Sequence, residues 1–312
     1  MSAQKDISHA AWAQLMLLAL IWGGSFVSIR IALDEIGPLT AVAHRVFWAA
    51  LVLWLVIAIR GLAVPRDRRT WGAFLVMGIL NNVLPFGLMA WGQLYIASGL
   101  TSILNAATAI FGVLAAAIFF ADERMTKRKA IGVSLGFLGV ATAIGLENLR
   151  NFDLRSAAQL AVIAGTLSYA LAGVWARKTL GHLPPQTAAA GMLSAAAAVA
   201  VPLAWWLEGP ISPQLGVRSI AAIGYYAVFA TAGAYLLYYR ILAVAGSGNL
   251  MLVTLLVAPV AIVLGAALRD ETLAAGAYAG FGLLALGLLV LDGRLLARIK
   301  WRQAIDRARR QS

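Results

Sequence analysis

The sequence predicts an all-α integral membrane protein: ten transmembrane helices arranged as two inverted five-helix repeats around a central cavity. Three observations carry this expectation. First, 62% of the 312 residues are hydrophobic and 12% are charged, with a mean hydropathy of +0.83. A soluble domain carries roughly 45–50% apolar and about 25% charged residues, so this excess cannot be hidden in one water-soluble core. Second, the chain divides into ten apolar runs near the roughly 20 residues that cross a bilayer as helix. Third, it contains itself twice. Residues 98–139 match residues 246–287 without a gap, placing Asp122-Glu123 on Asp270-Glu271, Gly132 on Gly280, Leu135 on Leu283 and Gly139 on Gly287.

The runs span residues 12–31, 40–59, 71–95, 98–120, 129–146, 157–177, 187–206, 219–242, 249–268 and 276–296. The first is expected to be an uncleaved helix, because its length exceeds the apolar core of a signal peptide and many spans follow it. Turn residues punctuate the connections: Gly37-Pro38, Gly61 to Pro65, Ser98-Gly99, Pro184-Pro185 and Gly209-Pro210. The runs do not alternate over ten-residue segments, so helices are favoured over a membrane β-barrel. The first two runs recur as well, one residue out of step with the later match: Arg30 falls on Arg177, Pro38 on Pro185 and Thr40 on Thr187. The expected organisation is a first five-helix repeat over residues 1–148, a second over 149–296 and a basic cytoplasmic tail over 297–312. An odd number of helices per repeat makes the second half cross in the opposite sense, the plan of many secondary transporters.

Charge sets the orientation. The net charge is +12, and the charges lie in loops and tail, where topology rather than nucleic-acid binding accounts for them. With the N-terminus cytoplasmic, inside segments carry Lys5, Arg60, Arg66, Arg68, Arg69, Arg124, Lys127, Arg128, Lys129, Arg177, Lys178, Arg240 and the basic residues from Arg294 onward. Outside segments carry only Arg30, Arg150, Arg155, Arg218 and Arg269. Both termini are therefore expected inside a bacterial-type plasma membrane. Lys127 and Lys129 become Ala275 and Ala277 in the second copy, which has lost its lysines on the face predicted to be outside.

At this point the residues resemble a known family. Trp22-Gly23 in the first helix, Pro38 then Arg45 in the second, and Asp-Glu ending the fourth and ninth helices before a glycine-spaced helix resemble the EamA-type branch of the drug/metabolite transporter superfamily. Pro259 fits the same pattern, and Phe111 in the first copy departs from it. The resemblance spans about residues 12–296 and implies ten helices, a cavity between the halves, and export or exchange of small metabolites, often amino acids. Within that branch the chain is similar to aromatic amino-acid exporters.

The polar and aromatic residues within spans are the candidate substrate site: Trp22, Asn82, Phe86, Asn105, Thr108, Tyr169, Tyr235 and Tyr238. Asn82, Phe86, Met89 and Gln93 share one helix face. Pro85 and its repeat mate Gly233 break corresponding helices and are the expected hinges, since paired breakers mark transporter sites. The competing reading is packing, because small polar residues glue membrane helices together. Arg45 is expected to snorkel or to bond carbonyls across helices, with a substrate carboxylate as the alternative. His44 is expected to face a neighbour or the outer interface, with proton relay as the alternative. The Asp-Glu turns are expected to turn and cap the chain near the N-terminus of the helix that follows each of them, with a proton-coupling pair as the alternative. Gly132/Gly136 and Gly276/Gly280 are expected to pack within the chain, with a dimer face as the alternative.

With no cysteine and three histidines, no metal, no thiol chemistry and no cofactor is expected. No catalytic set is visible, so a membrane-embedded enzyme is disfavoured. The expected function is alternating-access export of small metabolites, amino acids foremost and aromatic or apolar ones among them. A passive facilitator or an exporter of other drugs and metabolites is the alternative. The expected partners are a small-molecule substrate and the lipid bilayer, with no nucleic acid and a monomeric state.

Overall fold

The computed structural model describes residues 9–145, 154–245 and 253–292. The predicted boundary between the repeats, the first residues of the ninth run and the basic tail lie outside the described residues. Among the described residues every regular element is helical. Ten helices follow in order: α1 (His9–Ala32), α2 (Pro38–Arg60), α3 (Arg68–Gly92), α4 (Ser98–Phe119), α5 (Lys127–Ile144), α6 (Leu154–Thr179), α7 (Pro185–Glu208), α8 (217–245), α9 (Val253–Arg269) and α10 (Ala275–Asp292). Seven of them, α1–α4 and α6–α8, are long and apolar enough to cross a membrane. The other three have 17 or 18 residues, about 26–27 Å of helix, close to the roughly 30 Å of a hydrocarbon core. Large apolar side chains such as Leu55, Ile118, Phe229 and Val263 point outward, as a lipid-facing surface requires.

The repeat is inverted. The start of α2 meets the end of α7, where the Leu39 and Thr40 amides bond to Glu208, and the start of α4 meets the end of α9. In both pairs, repeat mates run antiparallel. The third pair is α5 with α10. A Cβ on Gly132 would stand 2.8 Å from the Gly287 carbonyl oxygen, and one on Gly139 would stand 2.7 Å from that of Gly280. Only glycine permits backbones to approach so closely. Gly132 and Gly280 are mates, as are Gly139 and Gly287, so each glycine touches the mate of the other. The remaining neighbours obey the same exchange: α1 packs on α8 and α9, and its mate α6 packs on α3 and α4. Exchanging the halves returns the same packing, which is a pseudo-twofold axis. The spaced glycines are thus engaged within the chain; Gly136 meets Ile110, and Gly276 lies against the Thr142 carbonyl.

At the end of the bundle where α1 finishes, carboxylates tie helices together. The N-cap residues of α2, α4 and α8 are Gly37, Ala97 and Gly216, none of which has a side chain able to cap. A glutamate from another helix or loop supplies each need. Glu208 accepts from the Leu39 and Thr40 amides, both at 2.8 Å. Glu271 accepts from Ser98 Oγ at 2.6 Å and the Gly99 amide at 3.4 Å. Glu35 accepts from the Gly216 amide at 2.7 Å. A carboxylate there satisfies orphan amides and meets the positive end of the helix dipole. Asp34 adds an ion pair to Arg269. At the opposite end α3 and α5 are capped by their own Asp67 and Thr126.

This corrects the expectation for the second Asp-Glu turn, while the first stands by the start of α5, the helix that follows it. Glu271 caps α4 in the other half, not the helix that follows it. Asp122 bonds Arg177 on α6 at 2.6 Å, and Glu123 bonds Lys129 Nζ at 2.9 Å.

Candidate functional site

Three helices lose their regular turn near the middle. Residues 79–83 of α3 and 225–233 of α8 form wider π-helical turns. The repeat places the first stretch within the second, so the breaks correspond. A π turn bonds each amide to the carbonyl five residues back and frequently marks a functional position. In α3 the amide owed to the Leu80 carbonyl would belong to residue 85, and Pro85 has none. Ser168 of α6 supplies the donor instead, at 2.7 Å. In α8 the Thr231 hydroxyl donates to the Tyr226 carbonyl, five residues back, at 2.8 Å. The predicted hinges stand at these breaks: Pro85 just after the π turn of α3, and Gly233 at the end of that in α8. The third interruption is in α4, where Ala106 and Ala107 separate two helical segments.

The two π turns face a cluster built around Arg45, about 10 Å into α2 by helix rise. Its Nε donates to Thr231 Oγ1 at 2.9 Å. Its guanidinium carbon lies 3.7 Å from the centre of the Phe86 ring, within cation–π range. Phe86 meets Tyr169 edge-on, with ring centres 6.3 Å apart. Tyr169, Tyr235 and Tyr226 lie near Arg45. Asn81 donates to the Tyr235 hydroxyl at 3.2 Å, with the Met192 sulfur 3.9 Å from the same nitrogen. Tyr235 stacks on Tyr239, Tyr239 meets Tyr238, and Tyr238 meets Trp22 at 5.9 Å. An aromatic chain therefore runs from α8 to α1.

Of the two expected outcomes for Arg45, it does not snorkel; it bonds across helices, to the Thr231 hydroxyl rather than to a carbonyl. It is enclosed between α2, α3, α6 and α8, while part of its surface stays accessible. The reason is local: Thr231 and Phe86 hold the head group inside the bundle. His44, one residue earlier, accepts from Trp48 on the same helix at 3.2 Å.

Of the predicted residues, Phe86, Tyr169 and Tyr235 surround Arg45, while Trp22 and Tyr238 join through Tyr239. Asn82 is fully buried, with both amide atoms lacking a protein partner among the described residues. Asn105 and Thr108 lie at the α4 break and bond each other, the Thr108 hydroxyl donating to the Asn105 carbonyl at 2.7 Å. Asn81 and Met192 carried no distinguishing signal in the sequence. Thr231 did, as a polar residue on the tyrosine stripe of α8. Among the described residues no group of three His, Asp or Glu side chains could hold a metal ion.

An inverted five-helix repeat with paired broken helices over a polar and aromatic centre defines a membrane protein of the secondary-transporter plan. The chain belongs to the EamA-like transporter family, whose sequence pattern matches residues 10–145 and again 156–291. It is 26% identical to an uncharacterized transporter of Archaeoglobus fulgidus over 286 residues, covering 90% of this chain and 98% of that protein. It is 30% identical over 135 residues to a probable terminal-alkyne amino-acid exporter of Streptantibioticus cattleyicolor, covering 43% of this chain and 44% of the exporter. The match to the uncharacterized transporter YoaV of Bacillus subtilis is 25% identical and spans 58% of that protein's length. A solved crystal structure described only as "Crystal structure of protein" shares the fold, with a TM-score of 0.65, 16% identity, and coverage of 93% of this chain and 99% of that one. The protein is thus a multi-pass membrane transporter of the EamA family.

Proposed function

We propose that this transporter exports small metabolites, amino acids foremost, across a bacterial-type inner membrane by alternating access, with both termini on the cytoplasmic side. The observation that carries the reading is the pair of corresponding π turns in α3 and α8 that meet at the Arg45, Phe86, Asn81 and Tyr235 cluster. Helices broken at matching places in two inverted halves can flex in alternation about a common centre. Hydrogen-bonding groups and aromatic rings side by side suit a solute with a polar head and an apolar body. The printed name of the Streptantibioticus relative, an amino-acid exporter, supports the same class. The excess of Lys and Arg in the segments assigned to the cytoplasm supports the orientation. The substrate-contacting residues in this reading are Trp22, Asn82, Phe86, Asn105, Thr108, Tyr169, Tyr235 and Tyr238, with Pro85 and Gly233 flexing.

The test is efflux from liposomes reconstituted with purified protein and loaded with labelled amino acids, one at a time. Efflux of at least one above protein-free liposomes is expected; none for all twenty overturns the reading. Repeating the measurement under an imposed pH gradient separates proton coupling, which changes the rate, from passive facilitation, which does not.

A further inference from the structure

We propose that Arg45 is the anchor for a carboxylate on the transported solute, and hence that a carboxylate is what this transporter requires of its cargo. The inference rests on the transport reading and adds the chemical group that is recognised.

The first argument is charge balance. A guanidinium remains protonated in proteins and cannot escape burial by losing its charge. Inside a bundle such a group normally has an anionic partner. Among the described residues none is present. The carboxylates of Asp34, Glu35, Asp67, Asp122, Glu123, Glu208, Asp270 and Glu271 all lie at helix ends or in loops. Those that form ion pairs do so with Arg30, Lys129, Arg177 and Arg269. Among the described residues Arg45 bonds only the neutral Thr231.

The second argument is geometry. Thr231 holds Nε, and its own hydroxyl proton is committed to the Tyr226 carbonyl. Phe86 covers one face of the guanidinium plane at 3.7 Å. The head group is thereby fixed in position and tilt. Its two terminal nitrogens bond no described protein group, and the side chain retains accessible surface. Two parallel N–H bonds from that edge are the fork that matches a carboxylate. A phosphate ester would bring a second negative charge, and no other Lys or Arg stands mid-span to meet it.

The third argument is asymmetry. The repeat places Met192 where the first half has Arg45, so the centre carries one anchor and not two. Met192 is buried beside Asn81. A solute held by a carboxylate at one end and apolar at the other fits this inequality.

The probes are L-phenylalanine, 3-phenylpropionate, which lacks the amine, and phenethylamine, which lacks the carboxylate. Two readouts are used on full-length protein: exchange in proteoliposomes, and the shift in thermal unfolding midpoint in detergent. Both carboxylates are expected to raise the midpoint and phenethylamine to leave it unchanged. Arg45→Gln is expected to abolish the shift. Arg45→Lys keeps the charge without the fork, guards against a misfolded glutamine variant, and is expected to weaken carboxylate binding at least about tenfold, the worth of one charged hydrogen bond. Binding of phenethylamine equal to that of phenylalanine overturns the anchor, as does an Arg45→Lys protein with wild-type affinity. So does failure of both carboxylates and of all twenty amino acids to shift the wild-type midpoint. A carboxylate shift that depends on Arg45 without efflux of any amino acid would overturn the transport reading and leave the anchor standing.

Discussion

Tyr235 and Thr231 are single hydroxyls on which the geometry of the centre depends. Tyr235→Phe removes the oxygen that accepts from Asn81 and keeps the ring stacked on Tyr239. The transport rate in proteoliposomes is expected to fall about three- to tenfold at unchanged expression, the scale of one neutral hydrogen bond. Thr231→Val removes both the acceptor for Arg45 and the donor to Tyr226; it should raise KM more than it lowers the maximal rate, because the guanidinium loses its fixed tilt. Asp122 gives a pH prediction. Its hydrogen bond from Arg177 holds its carboxyl below the usual carboxylate range. The tie is therefore complete above about pH 3.9, the ordinary aspartate value, and is lost as pH falls through the lower folded value. Asp122→Asn should flatten that part of a stability profile recorded in detergent between pH 2 and 5. What the sequence disclosed at this scale was identity without direction. Arg45 was visible as a lone charge within a span, but whether it reaches outward or inward is decided by Phe86 and by Thr231, 186 residues away.

At the scale of the helix, the ten apolar runs and their repeat were legible because hydropathy and register are local properties of the chain. The breaks were half legible. Pro85 announces a lost amide, but its neighbour's wide turn and the rescue of the Leu80 carbonyl by Ser168 need α6 in place. Gly233 alone does not reveal that the nine residues Tyr225–Gly233 adopt a π turn. Ser168→Ala should leave that carbonyl without its donor and cost about 1–3 kcal/mol, read as a lower unfolding midpoint; an unchanged midpoint would mean that water serves as well. The caps of α2, α4 and α8 were illegible, since their N-cap residues are Gly and Ala and the capping glutamates lie at distant positions in the chain.

The whole molecule is closed at one end by those glutamates. Glu208 and Glu271 join one half of the chain to the other, and Glu271 does so between α4 and the loop after α9. Glu271→Gln keeps the size and discards the charge, so the helix start is held less firmly. Because the chain contains no cysteine, opening at this end can be read with a single introduced thiol. Ser102→Cys lies one turn beyond the cap and is 1% exposed. Its reaction with a membrane-impermeant maleimide should accelerate several-fold when Glu271→Gln is added, and equal rates would show that the clasp does not govern access.

The seam between α5 and α10 has a further consequence. Because Gly132 meets Gly287 and Gly139 meets Gly280, the two helices present the same patch to each other in reverse, as the subunits of a symmetric homodimer do. The chain is in this sense already dimerised with itself. The face that glycine spacing would offer to a second molecule is occupied by the other half of the same one, and any association between copies must use a different surface.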